Sequence, residues 1–335
     1  MRPLFSRDMK NKRYFFRGLV ALGFCVLYTF WGFVGYFQTP GTFQSQFFII
    51  SEGDSLKTIS TGLEKEGLIS SALLFRCGLF LSGKGRLLKS GDYFIAEKET
   101  PYGIAHLLLS AQGQQHKVTI PEGLTNYQVL ELLKEKAFLK NDNPVLPPEG
   151  MLYPETYIFS RGTTFSRVIA EMKHMMELKI VELWSHRKAN LPFQTPEEAL
   201  VLASIVEKEA FVDAEKPIIA GVYLNRLAIG MPLQADPTVI YGLSEGRGDL
   251  GRLLVRSDLT ADHPFNTYRI KGLPPAPIAN PSLNSLKAVL LCPEETDALY
   301  FVADGTGGHQ FSKHYHHHQK HVGTLQKIRQ QQRQK

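Results

Sequence analysis

Leu200-Val-Leu-Ala-Ser-Ile-Val-Glu-Lys-Glu-Ala210 is the stretch on which the reading of this chain turns. Leu202, Ile205, Val206 and Glu209 recur at the i, i+3, i+4, i+7 spacing of one helical face, which predicts a helix carrying a glutamate on its apolar side. A carboxylate there is withdrawn from bulk water. That favours its protonated form and suits it to donate a proton near neutral pH. The plainer reading ends the helix near Ala210 and leaves Glu209 as a surface acid. Glu207 falls one helical position off that face, and Lys208 points elsewhere and is no partner for Glu209.

Around this stretch the pattern is helical: Thr164 to about Val181, Pro196 to Ala210, Lys216 to Ile229, and Ser282 to Leu291. Two turn-rich segments interrupt it. Residues 230–238 read as a loop, and Gly272-Leu-Pro-Pro-Ala-Pro-Ile-Ala-Asn-Pro281 reads as a rigid extended run, because proline fixes its own φ and pushes its predecessor out of the α region. Ala298 to Ala303 reads as a buried strand ending at Asp304-Gly305. Toward the N-terminus, Phe48-Ile-Ile-Ser-Glu-Gly53 and Val118-Thr-Ile-Pro-Glu-Gly123 each precede an amphipathic stretch, a repeated strand, glycine turn and helix. With Gly91 to Ile95 and Tyr102 to Leu109, residues 47–112 are expected to form a small α+β module of two strands and two helices.

Gly18 to Tyr36 carries no charge over 19 residues, about enough helix to cross a hydrocarbon core. Arg2, Arg7, Lys10, Lys12, Arg13 and Arg17 precede it against one acid, Asp8, and no charge follows until Glu52. This bias predicts a cytoplasmic head, residues 1–17, a single transmembrane helix, residues 18–36, and everything later outside. A cleaved signal peptide is the competing reading. The stretch is long for one, and Phe37-Gln-Thr-Pro40 is a poor cleavage site.

The formal net charge of +6 is concentrated at the two ends. The head is basic, and Lys313 to Lys335 holds no acid, so residues 37–312 are net acidic. No basic stripe interleaved with aromatics crosses the middle, which argues against nucleic acid as a partner. The basic, glutamine-rich tail, residues 323–335, suits anionic lipid or wall polymer, or is a disordered end. Three cysteines make no disulfide framework. Cys25 lies in the apolar segment, and a Cys77–Cys292 pair is the one external possibility. His316-His317-His318 lacks the mixed spacing of a built metal site, so neither metal nor organic cofactor is expected.

Near Glu209 in chain order stand Asn225 and Arg226, then Gln234, Asp236 and Tyr241, then Asn266, Tyr268 and the Gly307-Gly308-His309 turn. Amides, tyrosines and one arginine around a single acid suit a neutral, hydroxyl-rich ligand such as a glycan. There is no Gly-x-Ser-x-Gly elbow, His-Glu-x-x-His helix or phosphate loop. Leu202 to Glu209, Leu224-Asn-Arg-Leu227, Met231-Pro-Leu-Gln-Ala-Asp-Pro-Thr-Val-Ile-Tyr-Gly242, Phe265-Asn-Thr-Tyr268, Gly272-Leu-Pro-Pro275 and Tyr300-Phe-Val-Ala-Asp-Gly305 carry a resemblance over nearly the whole chain. In these the chain resembles the endolytic murein transglycosylases of the YceG-like family. Its departures are Phe265, where the family often has tyrosine, and the histidine-rich tail.

The resemblance implies an α+β protein with one membrane span, a LysM-like glycan-binding module at 47–112 and a catalytic transglycosylase domain at 117–322. It implies a bacterial inner-membrane enzyme whose catalytic region faces outward and cuts nascent peptidoglycan glycan strands, with penicillin-binding proteins as synthase partners and the inner membrane lipid around its span. Glu209 matches the family's catalytic glutamate. Asn225, Gln234, Asp236, Tyr241, Asn266 and Tyr268 are the expected substrate-binding residues, their roles assigned by chemistry, and Asp236 before a proline also suits a loop cap. A water-using muramidase with Asp236 or Glu155 as second carboxylate is one alternative. A noncatalytic wall-binding scaffold for the synthases is another.

Overall fold

The computed structural model describes the chain except for residues 1–4, 52, 86, 111–114, 292–294 and 334–335. It opens with α1 (Phe5–Gln38), β1 (Gln46–Ile50), α2 (Leu56–Lys65), α3 (Ala72–Leu81), β2 (Gly91–Ile95) and α4 (Pro101–Ser110). Next come β3 (Gln115–Thr119), α5 (Asn126–Lys134), β4 (Thr156–Ser160), α6 (Phe165–Ser185), α7 (Pro196–Glu209), α8 (Lys216–Ala228) and α9 (Asp236–Ser244). The chain closes with α10 (Leu283–Leu290), β5 (Tyr300–Ala303), β6 (His309–Ser312) and α11 (Tyr315–Arg333). The described strands pair two at a time, β1 with β2, β3 with β4 and β5 with β6. The class is α+β, built as helices around small ribbons. Two compact units result, Met1–His116 with Ile158–Thr163, and Lys117–Tyr157 with Thr164–Lys335.

In the first unit β1 and β2 run antiparallel with Phe48 opposite Tyr93. Period-two alternation turns Phe48, Ile50, Tyr93 and Ile95 into a core completed by Ile59, Leu63, Phe75, Leu79, Ile104 and Leu108. Ser55 and Ser71 cap α2 and α3 by accepting from the backbone N–H groups of Thr58 and Leu74. The expected module of two strands and two helices lacks α3. That segment, Ala72-Leu-Leu-Phe-Arg-Cys-Gly-Leu-Phe-Leu81, is apolar on nearly every side and has Gly78 inside it, so its pattern gives no clear period.

The span expected over Gly18 to Tyr36 falls within α1, and its first residues lie outside those whose side chains are described. Among the described residues no helix is long and apolar enough to cross a membrane, so the transmembrane expectation is not supported. What the helix does show is an apolar surface without cover: Leu22, Phe24, Val26, Tyr28, Phe30 and Trp31 are all exposed. Cys77 is a free, exposed thiol, and Cys292, the other member of the possible pair, lies outside the described residues.

The second unit is organised on α7. Thr195 accepts from Glu198 N while the Glu198 carboxylate accepts from Thr195 N, and Pro196 occupies the first turn where its missing N–H costs nothing. Ala199 to Val206 are then buried without a break. This corrects the one-face reading. A helix apolar all round lies inside, and α6, α8, α9 and α10 surround this one. The proline run is tied to it, for Ile278 N donates to Ser204 Oγ at 3.0 Å. Asn280, also fully buried, accepts from Leu152 N and donates to Leu124 O.

Two expectations change here. The stretch expected as loop up to residue 238 turns helical at Asp236, with Pro237 in the first turn of α9, a position where fixed φ favours helix. The boundary expected at residue 322 falls inside α11, which packs on β5 and β6 and buries Leu325, so the described part of the basic tail, to Arg333, continues a docked helix.

Candidate active site

Glu209 is the last residue of α7, and α8 supplies what faces it. Tyr223, enclosed on α8, donates from its hydroxyl to Glu209 Oε1 at 3.0 Å. Arg226, further along the same helix, gives two of its donors to carbonyls, with Nε 2.6 Å from Leu299 O and Nη1 bonded to Leu233 O. The guanidinium is pinned between the approach to β5 and the loop before α9. Asp236 opens α9, and its Oδ1 accepts from the Tyr268 hydroxyl at 2.6 Å. Together these groups line a cleft of about 580 Å³, with Gln234, Phe211, Phe301 and His309 also on its walls.

Removal from water is the main influence on the Glu209 carboxyl and pushes it up to about 7. The Tyr223 hydroxyl pulls it down, the Asp236 carboxylate raises it, and the Arg226 cation lowers it. Burial likewise holds the Tyr223 and Tyr268 hydroxyls in their protonated, donating forms. A carboxyl poised near neutrality can give a proton and take one back.

Glu207, two residues earlier, is occupied differently. Lys216 Nζ lies 3.3 Å from both its oxygens, and Ser282 N, Ser282 Oγ and Ser285 Oγ all donate to Oε2 at 2.9, 2.6 and 2.6 Å. Lys216 is itself buried and also reaches Asp213 Oδ1 at 2.6 Å. Glu207 ties α7 to α8 and α10, and a sequence reading that sets it merely off the apolar face misses this.

The expected substrate-binding residues divide. Gln234, Asp236 and Tyr268 line the cleft with Glu209. Gln234 is exposed and holds a left-handed φ of 51°, uncommon for a residue with a Cβ, while its N–H donates to Thr267 O. Asn225 is not brought there: its amide donates to Thr296 O and Ala298 O at 2.7 and 3.2 Å. Asn266 is buried, giving its amide to Leu259 O and Ala261 O while its oxygen accepts from Tyr268 N. It shapes the loop that carries Tyr268. Tyr241 bonds Glu149 Oε2 at 3.2 Å and lines a separate cavity of about 200 Å³, which shares Lys208, Pro237 and Ile240 with the cleft. Glu155 is exposed and is not among the residues lining the cleft. Tyr223 was not anticipated. It lies in an apolar helical run, where tyrosine reads as core.

No group of three or more His, Cys, Asp or Glu among the described residues is arranged to hold a metal ion. The sequence profile of the YceG-like family matches residues 48–324. An endolytic murein transglycosylase of Bacillus subtilis is 31% identical over 303 residues, covering 81% of this chain and 82% of that protein. One from Streptococcus pneumoniae is 30% identical over 308 residues, covering 77% of this chain and 54% of that longer protein. The crystal structure of a YceG-like protein from Listeria monocytogenes superposes with a TM-score of 0.52 at 30% identity, over 83% of this chain and 99% of that one. With the profile covering most of the chain and relatives at this identity over more than three quarters of it, the chain belongs to the YceG-like family.

Proposed function

We propose that this enzyme is a lytic transglycosylase of peptidoglycan, cutting glycan strands internally with Glu209 as its single acid and base. The observation that carries the reading is the placement of Glu209 on the wall of a cleft with Tyr223, Arg226, Asp236 and Tyr268, where it accepts from Tyr223 and burial pushes its carboxyl up. The relatives' names point to the same substrate. In the first step Glu209 gives its proton to the glycosidic oxygen between N-acetylmuramic acid and N-acetylglucosamine, and the bond to C1 of the muramyl residue breaks. In the second, the Glu209 carboxylate takes the proton of the muramyl 6-hydroxyl as that oxygen closes onto C1. The product is a 1,6-anhydro end, and water is not consumed. One carboxyl suffices for this sequence, where hydrolytic glycosidases usually set two across the bond. Tyr268 and Gln234 hold the sugar, and Asp236 faces the positive charge that builds on the ring.

Because Asp236 shares the cleft, a water-using muramidase is the second reading. Mass spectrometry of products from peptide-free glycan strands separates the two: anhydromuramyl ends support the lytic reaction, and reducing ends would replace it with hydrolysis. In the cell such cuts would limit strand elongation beside the penicillin-binding proteins that make the strands. The first unit would hold glycan as a LysM-like module, and the uncovered apolar surface of α1 would attach the enzyme to the inner membrane with its catalytic region outside. A reporter fused after Lys335 that is active only when exported supports that topology.

A further inference from the structure

We propose that His309, set by Glu215, is a substrate-binding residue of the Glu209 cleft, whose Nε2 accepts a hydrogen bond from a hydroxyl or acetamido N–H of the glycan. The proposal rests on the reading of that cleft as a glycan site.

The Glu215 carboxylate, at the end of the short turn Asp213–Glu215 that leads into α8, grips His309 at two points. Oε1 accepts from the His309 backbone N–H at 2.9 Å, and Oε2 lies 2.7 Å from Nδ1. The hairpin between β5 and β6 is shaped for this grip. Asp304 Oδ1 accepts from Thr306 N, Thr306 Oγ1 and Gly308 N at 2.7, 2.8 and 3.1 Å, which locks the turn. A Cβ on Gly308 would sit 2.9 Å from Glu215 Oε1 and 3.1 Å from Asp304 Oδ2, so any other residue would make one or both carboxylates shift. The ring is then wedged by aromatics, stacked on Phe211 at 6.2 Å between centroids and edge-on to Phe301 at 5.3 Å.

The chemistry of the grip fixes the tautomer. A carboxylate only accepts, so Nδ1 carries a proton, and in the neutral ring the lone pair then lies on Nε2. His309 lines the cleft with Glu209 and Phe211. A donor on the substrate is what such a nitrogen selects, and saccharides are rich in donors. Glu209 draws its hydrogen bond from Tyr223, whereas the His309 ring is held by Glu215. Glu215 acts through His309 and is a positioning residue.

The rival role is purely structural, a ring held for packing, and His309→Phe separates the two because it keeps the ring and removes Nε2. Steady-state cleavage of peptide-free glycan strands should show KM raised about 5- to 10-fold with kcat within about 2-fold, the loss of one uncharged hydrogen bond. His309→Gln, which offers an amide oxygen, should recover part of it. Glu215→Gln should raise KM about 3-fold in the parent and have no further effect on His309→Phe. In ¹⁵N-labelled Glu209→Gln protein, the His309 resonances should report the Nδ1–H form, and Nε2 should shift when glycan strands are added.

An unchanged KM in folded His309→Phe, an Nε2–H tautomer, or an Nε2 signal indifferent to strands would each overturn the proposal. If His309→Phe does not fold, the ¹⁵N titration decides alone. Should Glu209→Gln still cut strands, the catalytic assignment of Glu209 fails. The KM and ¹⁵N results still test His309 independently.

Discussion

Glu207 and Glu209 leave α7 two residues apart, and the first meets a buried lysine and two serines while the second meets a tyrosine and an open cleft. Both carboxyls are drawn out of bulk water, so burial alone does not make an acid catalyst. The difference lies in the company. A cation and a set of donors hold Glu207 as part of the frame. Around Glu209 burial outweighs the Tyr223 hydroxyl and the Arg226 cation, which favour the carboxylate, and with the Asp236 anion it keeps the proton on up to about pH 7.

Exchanging each glutamate for glutamine tests this contrast most severely. Glu209→Gln keeps the size of the side chain and cannot give the proton, so strand cleavage should fall by about 10²- to 10⁴-fold. Stability should move the other way. A carboxyl whose folded pKa is raised from its ordinary 4.5 to about 7 binds more protons folded than unfolded in that window, so its contribution is best below 4.5 and is lost as pH rises through 7. Removing it should leave Tm unchanged near pH 4 and raise stability at pH 8 by up to about 3 kcal/mol. A Glu209→Gln protein that melts lower than the parent at pH 8 would contradict the desolvated-acid account.

Glu207→Gln should do the reverse, destabilising the fold by about 2–3 kcal/mol at neutral pH because buried Lys216 loses one of its two closest anions. Residual activity, scaled to the folded fraction, should stay near parental. Denaturant melts beside active-site titration check this. Loss of turnover without loss of stability would erase the distinction between the two residues.

Tyr223→Phe probes the hydrogen bond that Glu209 receives from α8. That bond favours the carboxylate, so its loss should raise the Glu209 pKa further and move the basic limb of the pH–rate profile to higher pH, with about 1 kcal/mol of stability lost. A limb that moves down would reverse the assigned role of the tyrosine. The smallest effects separate the polar residues. Gln234→Ala should raise KM only a few-fold at unchanged Tm, whereas Asn225→Ala should leave KM alone and cost about 1–2 kcal/mol through two orphaned carbonyls.

Much of the frame is legible in the sequence because its signals are local. Thr195, Pro196 and Glu198 announce the start of α7, Thr164 and Ser282 cap α6 and α10, and the proline run 272–281 can be read only as extended. α3 and α9 are harder. The first has no polar side to set a period, and the second begins at a proline that equally suits a turn. The site is legible only by residue type. An asparagine that binds a sugar and one that binds backbone carbonyls have the same chemistry, and only the fold shows that Asn225 and Asn266 do the latter. Pairings such as Glu215 with His309, 94 residues apart, leave no local trace.

Glu209 stands at the very end of α7, with Ala210 already extended. The peptide dipoles of a helix add head to tail, leaving roughly half a negative charge on the carbonyls of the final turn. A carboxylate at that end is repelled by its own helix, by about 0.3–1 kcal/mol. The chain therefore has a lever on the acid that needs neither a neighbour nor further enclosure. Each residue by which the helix ran past Glu209 would carry that partial charge away from the carboxyl and make its proton easier to lose.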